Sequence, residues 1–226
     1  MTQPNFLKAG GLLLGSAVAI VGVLYVIGEG LDSYSHGKPL PIDETILTSL
    51  RSWGDKRWDG PMLQITALGS KVIITLVAVL AFVATWLAKE KLIALKVAIA
   101  AIGSGLLTLV VKLLVERPRP GVTNWLDQYI GDKFSFPSGH SLSSMAVYAS
   151  LGLLLSRLAP NKAAARFTIA AGIGIALLVG TSRIYLGVHN PTDVFAGWLA
   201  GLVWALACWK ALHWVRVVPK IQISGR

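Results

Sequence analysis

The sequence predicts an all-α integral membrane protein, a six-helix transmembrane bundle with a short amphipathic helix in the first extracytoplasmic loop. Of the 226 residues, 54% are hydrophobic and only 14% are charged, whereas an average globular chain is about a quarter charged. The apolar residues form runs close to the ~20 residues that a helix needs to cross a bilayer. This composition excludes an intrinsically disordered chain and disfavours an ordinary soluble domain.

Six apolar runs define the predicted spans. They cover residues 9–27, 65–87, 92–114, 142–158, 164–181 and 194–214. Helices are predicted because the runs lack strict alternation of apolar and polar residues. The first run continues beyond a possible signal-peptide cleavage site, which favours an uncleaved anchor helix. We expect one domain over 1–226, with close helix packing at Gly197 and Gly201 and at Ala170 and Gly174.

The first loop, residues 28–64, contains a second helical pattern. Five apolar residues recur there at helical spacing: Ile42, Ile46, Leu47, Leu50 and Trp53. Pro41 and Asp43 provide a start signal. The pattern predicts a short helix lying on the outer membrane surface, with a plain structured loop as the alternative. Asp59 and Pro61 then suit the beginning of the second span.

The charge distribution predicts the orientation. With the N-terminus in the cytoplasm, the inside loops carry eleven Lys and Arg residues and a single acid, Glu90, against ten basic residues outside. The excess is slight until the outside basic residues assigned to chemistry below are set aside. The positive-inside rule therefore predicts cytoplasmic N- and C-termini. The net charge of +10 is scattered between apolar runs, so we expect a lipid bilayer rather than nucleic acid as the partner. The lone cysteine, Cys208, cannot form an intrachain disulfide.

The third predicted span ends in a basic group. Lys112 lies inside the apolar run, and Arg117 and Arg119 follow it, each preceding a proline. Pro118 and Pro120 stop the helix and stiffen its exit, which would hold Arg119 at a fixed distance from Lys112. A snorkelling lysine followed by a basic loop is the alternative.

A polar group precedes the fourth predicted span. Ser138 is a natural N-cap, and Gly139 permits close approach of the backbone to a ligand. His140 follows directly. A helix that begins here points unpaired N–H groups and a positive dipole end outward, which favours anion binding. A capped helix with an incidental histidine is the alternative.

The third group lies between the fifth and sixth predicted spans. Arg183 is followed by His189 and, four residues later, by Asp193. Asn190 and Pro191 suit a helix start, so Asp193 falls in the first turn and can reach the imidazole. A carboxylate that accepts the Nδ1–H leaves Nε2 available as a nucleophile. Dipole compensation by Asp193 and interfacial anchoring by Arg183 are the alternatives.

All three groups emerge on the same side of the predicted bundle. Together they supply three cations, two histidines, a carboxylate and a helix N-terminus, and this inventory suits phosphoryl transfer. Lys112, Arg119 and Arg183 would bind the phosphoryl oxygens, with hydrogen bonds from Ser138 and Gly139. His189 is the better nucleophile because Asp193 orients it, which leaves His140 as general acid and then base. No metal or other cofactor is expected, since three fixed cations would repel a divalent ion.

These motifs resemble the three signatures of the type 2 phosphatidic acid phosphatase (PAP2) superfamily. The signatures are Lys112-x6-Arg119-Pro120, Pro137-Ser138-Gly139-His140 and Ser182-Arg183-x5-His189-x3-Asp193. The resemblance implies a metal-independent phosphatase with a phosphohistidine intermediate and sensitivity to vanadate. It assigns His189 as nucleophile, Asp193 as its partner and His140 as acid/base. Arg117 falls at an unconstrained motif position and is left out of the predicted site.

The bacterial membrane members of this family imply a lipid phosphate substrate. Phosphatidic acid, phosphatidylglycerol phosphate and undecaprenyl diphosphate all remain open. The expected location is the bacterial plasma membrane, with the active site on the extracytoplasmic face. A lipid phosphotransferase that uses undecaprenyl diphosphate as donor is the alternative function, and a small transporter is a weaker one.

Overall fold

A computed structural model describes residues 6–35, 40–54, 56–120 and 133–211. Every regular element within these residues is helical, which confirms the predicted all-α class. The helices are α1 (Phe6–Ser35), α2 (Pro41–Trp53), α3 (Asp59–Ala67), α4 (Lys71–Leu87), α5 (Lys91–Val115), α6 (Gly139–Leu155), α7 (Lys162–Tyr185) and α8 (Pro191–Ala211). A 3₁₀ turn, Lys56–Trp58, precedes α3.

Four of these helices, α1, α5, α7 and α8, are long and apolar enough to cross a membrane. The pair formed by α3 and α4 would supply a fifth span if both cross together, although their axes differ by 42°. Helix α6 has 17 residues, fewer than the ~20 that usually span a bilayer. The described residues therefore contain four or five candidate spans, and the count of six stays a prediction.

The stretch predicted as one helix over 65–87 is divided in two. The chain leaves the helix after Ala67, and the Ser70 hydroxyl caps α4 by accepting a hydrogen bond from the Ile73 N–H at 3.3 Å. Gly69 lies in the break, where a Cβ atom would be 2.4 Å from Val179 Cγ1 and 2.8 Å from Ser144 Oγ. The break thus brings the backbone against α6 and α7, an approach that an apolar run alone does not reveal.

Helix α6 lies at the centre of the bundle, in contact with α4, α5, α7 and α8. A Cβ atom at Gly197 would be 2.8 Å from the Ser138 carbonyl oxygen, and one at Gly201 would be 2.4 Å from that of Leu142. The predicted close packing at these two glycines of α8 is confirmed. On α7, however, the close approach to α6 is at Gly172, whereas Gly174 has nothing within 4 Å of its added Cβ.

We expect Gly201→Ala to destabilise the bundle. The new methyl group would clash with the backbone of α6, which cannot move away as a flexible side chain could, and overpacking of this kind costs about 1–3 kcal/mol. Gly174→Ala is the matched control, because its methyl group has open space and alanine favours a helix. Thermal unfolding in detergent should show a lower midpoint for Gly201→Ala alone. Equal midpoints for the two variants would contradict this packing.

Helix α2 packs against the end of the bundle where α5 and α7 end and α6 and α8 begin, which we call the site end. Leu47 of α2 is buried against Ile184 and Val194. The Tyr185 hydroxyl donates to the Gly54 carbonyl oxygen at 2.8 Å, which ties the segment after α2 to α7. Trp53 is 92% exposed, and the placement of α2 on a membrane surface stays a prediction.

Candidate active site

The site end brings the three polar sequence groups together. Six of the eight predicted site residues line one cavity of about 420 Å³. They are Lys112 near the end of α5, Arg119 in the segment after it, Gly139 and His140 in the first turn of α6, Arg183 in the last turn of α7, and His189 between α7 and α8. The other two, Ser138 and Asp193, are completely buried. Residues separated by up to 77 positions therefore form a single cationic pocket.

Arg119 lies directly against the imidazole of His189. Its Nη1 donates to the Val188 carbonyl oxygen at 2.7 Å and is 3.3 Å from His189 Nε2. This is the nitrogen that the sequence argument expects to attack phosphorus. A guanidinium group at this position can bind a phosphoryl oxygen while the ring nitrogen faces the phosphorus atom.

The carboxylate of Asp193 is close to the other ring nitrogen. Its Oδ2 is 3.6 Å from His189 Nδ1, longer than a normal hydrogen bond. The same oxygen accepts from the Asn190 N–H at 2.9 Å. Hydrogen bonds in a catalytic site are often long before the substrate is bound, so the distance suits a pair that closes on phosphate binding.

Burial lowers the pKa of His189 well below its ordinary value of 6.5, and the positive charges of Arg119, Arg183 and Lys112 lower it further. The backbone of Ser135 acts on this pKa in the opposite direction. The ring is therefore neutral at neutral pH. A neutral imidazole has a lone pair on one nitrogen, which a nucleophile requires.

The other two predicted phosphate-binding cations, Lys112 and Arg183, are held by residues outside the three sequence motifs. The Lys112 ammonium donates to the Phe134 carbonyl oxygen. Arg183 donates from Nη1 to the Thr66 hydroxyl of α3 at 3.1 Å. Both side chains are buried, so their charges are poorly screened and act strongly on an anion in the cavity.

Ser138 caps α6 as the sequence predicts, since its hydroxyl oxygen accepts from the Ser141 N–H at 3.4 Å. Its own N–H donates to the Asp193 carbonyl oxygen at 3.0 Å, which joins the beginnings of α6 and α8. A Cβ atom at Gly139 would be 3.0 Å from Thr108 Cγ2. The positive end of α6 therefore faces the cavity, and hydrogen bonding of these two residues to phosphate stays a prediction.

Sequence reasoning missed four residues around this site. Arg117, set aside as unconstrained, is buried and donates to Asp193 Oδ1 at 2.6 Å. Asp43, interpreted as a helix start signal, is completely buried beside it. Thr66 holds Arg183, and Lys71 of α4 lines the cavity although it lies within an apolar run. The proximity of Arg117 to the motif was a usable signal, but the other three depend on contacts between distant segments.

Within the described ranges, no group of three or more His, Cys, Asp or Glu residues is close enough to hold a metal ion. The expectation of a reaction without a metal stays a prediction, which a chelator can test.

The fold and the site agree with the family that the motifs resemble. The PAP2 superfamily model matches residues 93–216, more than half of the chain, and the chain belongs to this superfamily. It is 30% identical over 164 residues to a putative undecaprenyl-diphosphatase, YbjG, of Escherichia coli, covering 67% of this chain and 75% of that protein. It is 42% identical over 100 residues to phosphatidylglycerophosphatase B of Bacillus subtilis, covering 43% of this chain and 47% of that relative.

Solved structures show the same architecture. The crystal structure of a transmembrane PAP2-type phosphatidylglycerolphosphate phosphatase from Bacillus subtilis superposes with a TM-score of 0.73 at 25% identity, covering 87% of this chain and 97% of that one. Aquifex aeolicus LpxE superposes with a TM-score of 0.58 at 23% identity, covering 76% of this chain and 96% of that one. The chain thus has the fold of an integral-membrane PAP2 protein, although it spans less than half the length of the B. subtilis relative in the sequence match.

Proposed function

We propose that this protein is a metal-independent lipid phosphatase that hydrolyses a phosphomonoester or diphosphate lipid through a phosphohistidine intermediate. The observation that carries the proposal is the 3.3 Å contact between Arg119 Nη1 and His189 Nε2 in the cavity that His140 also lines. A phosphate bound by these cations would be next to a neutral imidazole. The names of the relatives support the same reaction class.

The first half-reaction transfers the phosphoryl group to the protein. His189 Nε2 attacks phosphorus, and the bond between phosphorus and the lipid oxygen breaks while the bond to nitrogen forms. Lys112, Arg119 and Arg183 stabilise the charge on the three equatorial oxygens, the main source of catalysis in phosphoryl transfer. The negative charge of the bound phosphate favours protonation of His140, which then donates its proton to the leaving lipid oxygen.

The second half-reaction releases phosphate. Neutral His140 takes a proton from a water molecule, whose oxygen attacks the phosphorus atom of the phosphohistidine. The bond between phosphorus and His189 Nε2 breaks, and inorganic phosphate leaves. Asp193 stabilises the positive charge that develops on the His189 ring whenever Nε2 is bonded to phosphorus.

The walls of the cavity favour a lipid. Val72 and Ile74 of α4 and Leu109 of α5 line it together with the charged groups, so an apolar chain can lie between these helices while the headgroup reaches the histidines. Lys71 adds a cation beyond the three motif cations and could bind a second anionic group. Phosphatidic acid, phosphatidylglycerol phosphate and undecaprenyl diphosphate all fit this description.

The proposed setting is the bacterial plasma membrane. One domain over 1–226 would form six spans, counting α6 and the α3–α4 pair, with the site end on the extracytoplasmic face and both termini in the cytoplasm. The end of the sixth predicted span, 212–214, and the C-terminal residues lie outside the described residues. The concentration of charge at one end of the bundle, rather than near its middle, favours an enzyme over a transporter.

The proposal predicts phosphate release in the absence of metal. Purified protein in detergent, assayed with EDTA against a panel of the three candidate lipids, should release inorganic phosphate from at least one of them. Vanadate should inhibit, because it mimics the pentacoordinate transition state at phosphorus. Activity that requires an added divalent ion would contradict the proposal. Turnover that depends on a lipid acceptor would indicate the phosphotransferase instead.

A further inference from the structure

Asp43 is a carboxylate with no role in the proposed reaction, yet it is completely buried near the site. It lies in the first turn of α2, and its carboxylate contacts Thr192 at the beginning of α8 and Arg117 in the segment after α5. Oδ1 accepts from the Thr192 N–H at 2.9 Å, and Oδ2 accepts from the Thr192 hydroxyl at 2.9 Å. Burial of a charge is costly unless it is paired, so the pairing of Asp43 must be strong.

Arg117 supplies that pairing and extends it to the site. Its Nη2 is 3.4 Å from Asp43 Oδ2, and its Nη1 is 2.6 Å from Asp193 Oδ1. Nη1 also donates to the Thr192 hydroxyl at 2.9 Å. The guanidinium group therefore bridges two buried carboxylates, one on α2 and one on α8. The planar fork of arginine directs separate N–H groups at the two carboxylates, whereas the ammonium of lysine is a compact charge without this fixed geometry.

The bridge fixes the orientation of the Asp193 carboxylate. Arg117 occupies Oδ1, which leaves Oδ2 directed toward His189 Nδ1 at 3.6 Å. Within the described part of the chain, His189 Nδ1 has no hydrogen-bond partner. A carboxylate that rotated away would no longer orient this N–H, and the imidazole could then adopt the wrong tautomer.

Arg117 and Arg119 thus act on opposite sides of one ring. Arg119 is within 3.3 Å of His189 Nε2, while Arg117 reaches the Nδ1 side through Asp193. The backbone between them is fixed as well, because Ser135 donates from its N–H to the Arg117 carbonyl oxygen at 2.8 Å and from its hydroxyl to that of Pro118 at 2.7 Å. One short segment therefore positions both nitrogens of the imidazole.

We propose that Arg117 and Asp43 are positioning residues of the phosphatase: Asp43 holds Arg117, and Arg117 holds Asp193 in the orientation that sets the tautomer of His189. The inference rests on the proposed function. It assigns α2 a role in the reaction although α2 does not line the cavity. Removal of the Asp43 carboxylate would loosen the bridge through Arg117 to Asp193.

Asp43→Asn and Arg117→Lys test this with kcat and KM measured separately. We expect kcat to fall by about 10- to 100-fold in each variant, a range typical of slight misplacement of a catalytic group, while KM for the lipid phosphate changes little. Glu44→Gln and Arg51→Lys, at exposed positions of the same helix α2, are the matched controls and should keep the kcat of the unaltered protein. Thermal midpoints and gel-filtration profiles report folding.

A double-mutant cycle separates positioning from general stability. In an Asp193→Asn background, Asp43→Asn should lower kcat no further, because the carboxylate that the bridge orients is gone. An equal fall in both backgrounds would overturn the inference, as would an unchanged kcat in Asp43→Asn and Arg117→Lys. If either variant fails to fold, Thr192→Val replaces it, and Thr192→Ser is the conservative control that keeps the hydroxyl. We expect kcat to fall in Thr192→Val and to be restored in Thr192→Ser. A loss of kcat that serine does not restore overturns the inference.

A spectroscopic measurement distinguishes failure of this inference from failure of the proposed function. In protein with ¹⁵N-labelled histidine, the Nδ1–H proton of His189, assigned by its absence in His189→Gln, should shift in Asp43→Asn and not in Glu44→Gln. This readout needs no turnover. If the protein releases no phosphate, the proposed function is refuted, and the shift of the Nδ1–H signal still tests the bridge from Asp43 to Asp193. If the enzyme is active but the signal is unchanged in Asp43→Asn, the bridge alone is refuted.

Discussion

His189→Gln is expected to abolish phosphate release, with a loss of about 10⁴- to 10⁶-fold, the range seen when a nucleophile is removed from an enzyme with covalent catalysis. The reason is that Nε2 of this ring forms the bond to phosphorus in the proposed reaction. Glutamine fills most of the volume of a side chain that is only 2% exposed, so the fold should survive. Initial rates of phosphate release with saturating lipid would measure the effect.

Rapid quenching with a lipid labelled in its phosphate adds a direct test of the intermediate. The unaltered protein should retain label that is stable in base and released in acid, as a phosphohistidine is, and His189→Gln should retain none. His213→Ala is the matched control, because His213 lies outside all three motifs, and it should keep both label and turnover. Label that persisted in His189→Gln would assign the nucleophile to another residue.

His140→Ala is expected to have the second-largest effect, a loss of about 10²- to 10⁴-fold on natural lipid phosphates, the usual contribution of a general acid. An alkoxide leaving group needs the proton that His140 supplies. A nitrophenolate does not, since a nitrophenol is a far stronger acid than an alcohol. With a nitrophenyl phosphate that carries an acyl chain, the first turnover of His140→Ala should therefore be far less impaired.

The second half-reaction should also slow in this variant, because water loses its base. Labelled phosphoprotein should consequently accumulate in His140→Ala after a burst of nitrophenolate, and His36→Ala, which also lies outside the three motifs, should behave like the unaltered protein. An equal loss in the first turnover on alkyl and nitrophenyl substrates would contradict the role of His140 as an acid.

Local patterns were sufficient for most helix positions and for six of the cavity residues. The run predicted over 92–114 is α5, Lys91–Val115, because a long apolar stretch has few alternatives to a helix. The motif residues were identifiable because ionisable groups at the ends of apolar helices are costly without a function. The hydroxyl of Ser138 was correctly predicted as a cap, since capping depends on residues within one turn.

Contacts between distant segments were beyond such reasoning. The break at Gly69 arises from packing against Val179 and Ser144, and its neighbours give no sign of that packing. Thr66 holds Arg183 across 117 positions. In its local sequence Thr66 is simply a polar residue near the beginning of a predicted span. No local pattern therefore distinguishes such a side chain from one without a role in the site.

The sequence by itself therefore determined the class of protein, the all-α architecture and the candidate reactive groups, because hydrophobic periodicity and motif spacing are properties of short segments. The tertiary structure alone decided how the reactive groups are held. Arg117 meets Asp43 across 74 positions and Asp193 across 76. The physical reason is that a buried charge requires a partner but does not specify where along the chain the partner lies, and only the packed bundle brings the two together.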